Sequence, residues 1–269
     1  MKVGLAPALC LLALVGCVDS HLATKPGAYE VTSDHLAGSK RPIPVVLVHQ
    51  VHDLHPGYLV VYTTGDDGWS GTSAALFKHL ADGGYTVAGF SAPEVIEPLV
   101  HEGKLIHTRD AAHGLEEMYA LARRRLGLPV TTPVVVVGFS RGATAVAYTA
   151  IHPELQQDFA GGVAIALTRE ADYLRVPENK RGPAIQVDSE GRLQLYPAVR
   201  LLASKRLAVI QSTGDSYVRA AESRELLGPD TPTLRLYPVE SRNHGFSDAR
   251  DKLMSDLDDA LQWVEGRAD

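Results

Sequence analysis

The sequence predicts an α/β protein, with a mainly parallel sheet covered by helices on both faces. Three observations carry this. Short β-branched runs alternate with longer stretches of helical periodicity. One run is four consecutive valines, Val134 to Val137, the signature of a strand buried on both sides. Finally, the 269 residues are 45% hydrophobic and 22% charged, enough apolar surface for a full core. In chain order, strands are predicted at 45–48, 58–62, 85–90, 134–137, 163–167, 207–211 and 234–237. Helices are predicted at 73–82, 110–126, 143–152, 216–226 and 248–265. Glu116, Glu117 and Arg123 to Arg125 read as the solvated side of the long middle helix. Residues 169–204, with Pro177, Pro183, Pro197 and the turn-like Asp188-Ser189-Glu190-Gly191, read as a small insertion over one end of the sheet, with a hairpin within 185–195.

The first 27 residues stand apart. Lys2 precedes an apolar run at 3–15 that is too short to span a bilayer, the pattern of a secretory signal. Both cysteines, Cys10 and Cys17, fall here, so the remaining chain has no disulfide framework and no cysteine metal site. Leu14-Val15-Gly16-Cys17 resembles a bacterial lipobox, which implies cleavage before Cys17 and lipid attachment to it. The expected organisation is a signal peptide at 1–16, a lipidated Cys17 with a polar tether at 17–27, and one catalytic-sized domain at 28–269. Such a protein would sit in the bacterial cell envelope, anchored to the membrane through lipid and facing the periplasm.

A formal net charge of −6 argues against a nucleic-acid partner, because phosphate recognition needs clustered Lys and Arg. His49, His52 and His55 recur every third residue, but a strand-to-loop run does not gather them on one face, so they read as loop histidines. Neither a metal nor a cofactor is expected.

After the valine strand comes Gly138-Phe139-Ser140-Arg141-Gly142, followed by the small-residue segment Ala143 to Ala147. This is G-x-S-x-G in a strand-turn-helix setting, a nucleophile elbow. A sharp turn strains the serine backbone, and glycines two residues away on either side avoid collision. The serine oxygen then stands at a helix N-terminus, where free N–H groups favour developing negative charge. An acid and a histidine follow in the required order: Asp215 just past the 207–211 strand, and His244 in a loop before the last helix. The order Ser140, Asp215, His244 is that of the α/β-hydrolases. In that scheme His244 is the general base, and Asp215 fixes its tautomer. Asp215 could alternatively be a helix N-cap, with Glu170 or Asp172 as the acid.

Thr64-Gly65-Asp66-Asp67-Gly68-Trp69 follows an early strand and suits an oxyanion loop. The donors are assigned as the N–H groups of Arg141 and Asp66, with Asp67 the near alternative. Asp67 and Trp69 are placed at the substrate, where a carboxylate could pair with a cationic acyl group; Trp69 could equally pack beneath the loop. Tyr173 and Tyr196 are candidate lid contacts, and Phe139 and Phe246 packing residues beside the catalytic positions.

Thr64 to Ser70, with the segments Tyr85 to Phe90, His107 to Ala112 and Gly138 to Gly142, resembles the VirJ group of bacterial α/β-hydrolases over roughly residues 59–167. The resemblance implies a periplasmic serine hydrolase that removes aminoacyl groups from phosphatidylglycerol, a modified membrane phospholipid. Asp67 stands where that group carries a second glycine. The expectation is therefore a serine hydrolase of carboxylic esters acting through an acyl-Ser140 intermediate. The competing readings are a general esterase, lipase or dienelactone-type hydrolase, and a catalytically silent envelope lipoprotein used as a binding platform.

Overall fold

The computed structural model describes residues 29–34, 42–50, 55, 57–96, 106–181, 185–201 and 205–267. The signal segment, Cys10, Cys17, the tether and His52 lie outside the described residues.

The strands that build the main sheet are β1 (Tyr29–Asp34), β2 (Ile43–Val48), β3 (Leu59–Thr63), β4 (Val87–Phe90), β6 (Val134–Phe139), β7 (Phe159–Ile165), β10 (Arg206–Ser212) and β11 (Leu234–Val239). Their spatial order is β1-β2-β4-β3-β6-β7-β10-β11. Only the β1–β2 and β2–β4 pairs are antiparallel; from β4 onward every pair is parallel. A smaller sheet joins β5 (Ile106–His107), β8 (Glu170–Arg175) and β9 (Arg192–Gln194).

Because strand side chains alternate, the valine run serves both faces. Val134 and Val136 join one core with Leu59, Val61, Leu207 and Val209; Val135 and Val137 join the other with Val60, Tyr62, Ala208 and Ile210. All four valines are fully buried. The first core is covered by α3 (Thr108–Arg125), α4 (Ala143–Ile151) and α6 (Leu195–Val199), through Leu115, Met118, Val146 and Val199. The second is covered by α1 (Gly71–Asp82) and α8 (Arg250–Val264), through Leu76, Phe77, Leu80, Leu253, Leu257 and Leu261. The predicted three-layer α/β architecture is the one observed.

Three expectations need adjustment. Arg123 is not solvated: it is buried, its guanidinium bonding Asp158 at 2.9 Å and the Thr132 carbonyl, whereas Arg124 and Arg125 are exposed. The helix expected at 216–226 begins later, as α7 (Ala220–Leu227), because the Asp215 carboxylate holds the Tyr217 N–H in a turn at 2.8 Å. The 169–204 segment contains β8 and β9 as well as a short hairpin, in which Val187 bridges Leu193. Further pieces were not anticipated: the edge strand β1, the short strand β5, and the short helices α2 (Ala92–Ile96), α5 (Pro153–Gln156) and α6.

The far edge of the sheet is closed locally. On β11 the outward-facing Leu236 N–H bonds Asp230 at 3.1 Å, the Leu234 N–H bonds the Thr231 hydroxyl at 2.9 Å, and position 238 is proline.

Candidate active site

The site is built at the C-terminal ends of the parallel strands, where the segments after β3, β6, β10 and β11 converge. Strand β6 ends in the turn Ser140–Gly142, which feeds directly into α4. Ser140 has φ of 54°, a left-handed conformation that is strained for a residue with a side chain. The flanking glycines permit it sterically. A Cβ on Gly138 would lie 2.1 Å from the Gly142 carbonyl oxygen, and one on Gly142 would lie 2.2 Å from that of Thr63.

Asp215 follows β10, and His244 follows β11. Their loops are tied together by the Ser241 carbonyl, which accepts from the Gly214 N–H at 2.8 Å and from the Ser212 hydroxyl at 3.0 Å. The Ser241 hydroxyl in turn donates to Asp248 at 2.7 Å. That bond, with the Arg242 guanidinium, holds the Asp248 carboxyl well below the usual carboxylate range, down to about 2.

These loops bring the three sequence candidates into one line. The Ser140 hydroxyl meets His244 Nε2 at 2.8 Å, and His244 Nδ1 meets the Asp215 carboxylate at 2.7 Å. The Asp215 side chain is fully buried. Its other partners are all donors: the Gln211 amide at 3.0 Å and the Tyr217 N–H at 2.8 Å. An ionised carboxylate only accepts, so the proton between it and His244 belongs on Nδ1, leaving Nε2 to accept from the serine. Glu170 and Asp172, the alternative acids, lie elsewhere in the cleft, and Asp172 bonds the Arg141 guanidinium at 2.8 Å.

The loop after β3 crosses directly over the serine. A Cβ on Gly65 would lie 3.2 Å from Ser140 Cβ, so this position must be small for Asp66 to approach the nucleophile. The Gly65 N–H is held by the Ser73 hydroxyl at 3.1 Å, and Thr72 on the next helix bonds the Gly245 carbonyl beside His244 at 2.5 Å. Asp66 and Arg141, the assigned oxyanion donors, also pair through their side chains at 2.5 Å. Burial raises the Asp66 carboxyl above its ordinary range, with the Arg141 charge opposing that rise.

Two clefts open from Ser140, of about 280 and 430 Å3. One is lined by Arg141, Thr168, Arg169, Glu170 and Asp172, the other by Asp67, Ser70, His244 and Arg250; Asp66 and Tyr217 border both. Trp69 lines neither. Its ring packs edge-on against Phe77 at 5.1 Å and beside Tyr62, against the core covered by α1 and α8. Tyr196 is also interior, donating to the Leu167 carbonyl at 3.1 Å. His55 stacks on Tyr85 at 3.6 Å.

Sequence reasoning missed two contributors. Gln211 bonds Asp215 and also donates to the Val218 carbonyl at 2.6 Å. A lone polar side chain in Leu207-Ala208-Val209-Ile210-Gln211, just before the acid, was the available signal. Tyr217 stands edge-on to the His244 ring at 4.8 Å and is largely exposed; nothing in the sequence marks it.

No protein-family model matches the sequence, and no curated protein is similar enough in sequence to be matched to it. Solved structures are similar in fold. A Klebsiella pneumoniae protein assigned as a dienelactone hydrolase superposes with a TM-score of 0.60 at 13% identity, covering 90% of this chain and 100% of that one. The naproxen esterase of Bacillus subtilis gives 0.60 at 8% identity, covering 97% and 99%. The Pyrococcus furiosus esterase Pf2001 gives 0.57 at 14% identity, covering 91% and 92%. Together with the strand order and the elbow, these likenesses show that the chain has the α/β-hydrolase fold.

Proposed function

We propose that this protein is a serine hydrolase of carboxylic esters. The observation that carries the reading is the unbroken line from the strained Ser140 through His244 to the buried Asp215. In the reaction, Ser140 Oγ attacks the ester carbonyl carbon while its proton passes to His244 Nε2. The resulting oxyanion is held by the N–H groups of Arg141 and Asp66, and Asp215 stabilises the imidazolium. Collapse breaks the carbon–oxygen bond of the ester, and the departing alcohol takes the proton from His244. Water, deprotonated by His244, then attacks the acyl-Ser140 carbonyl and releases the carboxylic acid.

For the substrate we favour an aminoacyl ester of phosphatidylglycerol, met at the envelope membrane by a protein lipidated on Cys17. Support comes from the VirJ resemblance and from the carboxylates around the nucleophile. Arg141 takes up Asp66 and Asp172, while Glu170 in one cleft and Asp67 in the other add negative charge that suits an aminoacyl ammonium. A general or dienelactone-type esterase is the second reading, favoured by the fold likenesses. A binding platform without chemistry would have no use for a strained Ser140.

The test is hydrolysis of lysyl- and alanyl-phosphatidylglycerol beside p-nitrophenyl acetate by the purified protein in detergent, with Ser140→Ala as control. Serine-dependent release of the amino acid supports the lipid substrate. Cleavage of the acetate alone overturns that substrate but keeps the esterase, and cleavage of none overturns both.

A further inference from the structure

The small sheet carries positive charge that the chemistry above does not use. Strand β8 starts at the catalytic cleft, where Glu170 and Asp172 belong to the lining, and ends at Arg175. Three residues past Asp172, Arg175 lies about 10 Å further along the strand. There it stands opposite Arg192 of β9. A short 3-10 turn, Glu178–Lys180, then brings Arg181 back to the same place, where its Nε donates to the Val176 carbonyl at 3.2 Å.

Gly191 shows how closely these charges gather. A Cβ at this position would lie 2.7 Å from Arg181 Nη2, 3.3 Å from Arg175 Nε and 3.4 Å from Arg175 Cγ. The two guanidinium groups therefore close on one spot, at a glycine that is itself buried and holds φ of 81°. Their scaffold is tied together, since the Gly191 carbonyl accepts from the Val176 N–H at 3.0 Å.

Counter-charge is missing. Neither Arg175 nor Arg181 has an ion pair among the described residues. Asp188 and Glu190, the acids of the adjoining turn, are directed to Arg192, at 2.5 and 3.8 Å. Asp188 also accepts from the backbone N–H groups of Glu190 and Arg192, at 2.9 and 2.8 Å. Glu178 is exposed and pairs with neither arginine. Like charges held together are unfavourable, above all at directly opposed positions of a sheet, and an anion between them reverses the sign.

We propose that Arg175 and Arg181 bind one phosphate group carried on an organic phosphoester. A guanidinium presents a planar fork of N–H donors that matches two oxygens. Two forks from different residues suit a tetrahedral group with several charged oxygens, whereas a flat carboxylate is filled by one. The site lies outside the clefts of Ser140 and is independent of the ester cleaved there. A phosphomonoester in solution and the phosphodiester of a lipid headgroup share this chemistry.

The test is calorimetry at low ionic strength on the Ser140→Ala protein, in which no lipid ester is cleaved. One titrant is sn-glycerol 3-phosphate; the other is dihexanoylphosphatidylglycerol below its micelle concentration. One-site binding of at least one of them is expected, weakened at least about tenfold by Arg175→Gln and by Arg181→Gln. The titrant bound more tightly identifies the source, soluble phosphoester or lipid headgroup. Arg124→Gln removes the same charge from the exposed side of α3 and is expected to leave the affinity within about twofold. Binding of neither titrant, binding that survives both changes at 175 and 181, or an equal loss in Arg124→Gln overturns the proposal.

Discussion

Replacing Asp215 by asparagine tests the site at its most constrained point. The carboxylate receives three N–H donors: His244 Nδ1 and the Gln211 amide on one oxygen, and the Tyr217 backbone on the other. Asparagine offers a single oxygen. If that oxygen faces His244, the new NH2 meets the Tyr217 N–H. If the amide turns over, the NH2 meets Gln211, which cannot readily rotate because the same amide also donates to Val218. In that second orientation His244 must accept at Nδ1, so its proton moves to Nε2 and it can no longer deprotonate Ser140. Either way one donor loses its acceptor, the part-buried Tyr217 N–H in the first orientation or the buried Gln211 amide in the second, where the loss costs about 1–3 kcal/mol of stability. Either way the imidazolium loses its counter-charge. We expect Asp215→Asn to lower kcat/KM on p-nitrophenyl acetate by about 10⁴-fold, or roughly 5.4 kcal/mol. Circular dichroism should show the fold retained. Activity within tenfold of the parent would refute the assignment, and a matching loss in Glu170→Gln or Asp172→Asn would move the acid into the cleft.

The elbow predicts an unusual order of stabilities. Because Ser140 holds φ of 54°, Ser140→Gly should be more stable than Ser140→Ala by about 1 kcal/mol, although both are inactive; equal denaturation midpoints would argue against stored strain. Asp248 predicts a pH dependence. Its carboxyl is lowered from 3.8 to about 2 in the folded protein, so its stabilising contribution is complete above about pH 4 and lost as pH falls through about 2. Asp248→Asn should therefore lower the Tm at neutral pH, with the gap closing between about pH 4 and pH 2; a gap that stays constant over that range would count against it.

How much of this was legible in the sequence depended on the range of the interactions involved. The inner strands could be read because strands covered on both faces need unbroken apolar runs, and 134–137 shows this without ambiguity. The elbow could be read because glycine, serine and glycine at fixed spacing answer a local steric demand. Strand β8 could not: Glu170 to Arg175 carries three charged residues in six without a clean apolar/polar alternation, and its partner β9 lies about twenty residues on. The Arg141 guanidinium was equally hidden, since one of its partners, Asp172, is 31 residues away and no local pattern connects them. Trp69 was ambiguous because its neighbours Tyr62 and Phe77 belong to separate elements that only the fold brings together.

The outer margin of β11 has a consequence for how molecules can meet. An exposed strand ordinarily offers a row of unsatisfied amides that a neighbouring chain can continue. Here the amides of Leu234 and Leu236 are already engaged by Thr231 and Asp230, and Pro238 has none to give. Strand-by-strand growth from this side therefore finds no donors along the stretch it would need. If these molecules crowd together on a surface, contact at this margin leaves them as separate neighbours rather than extending one continuous sheet.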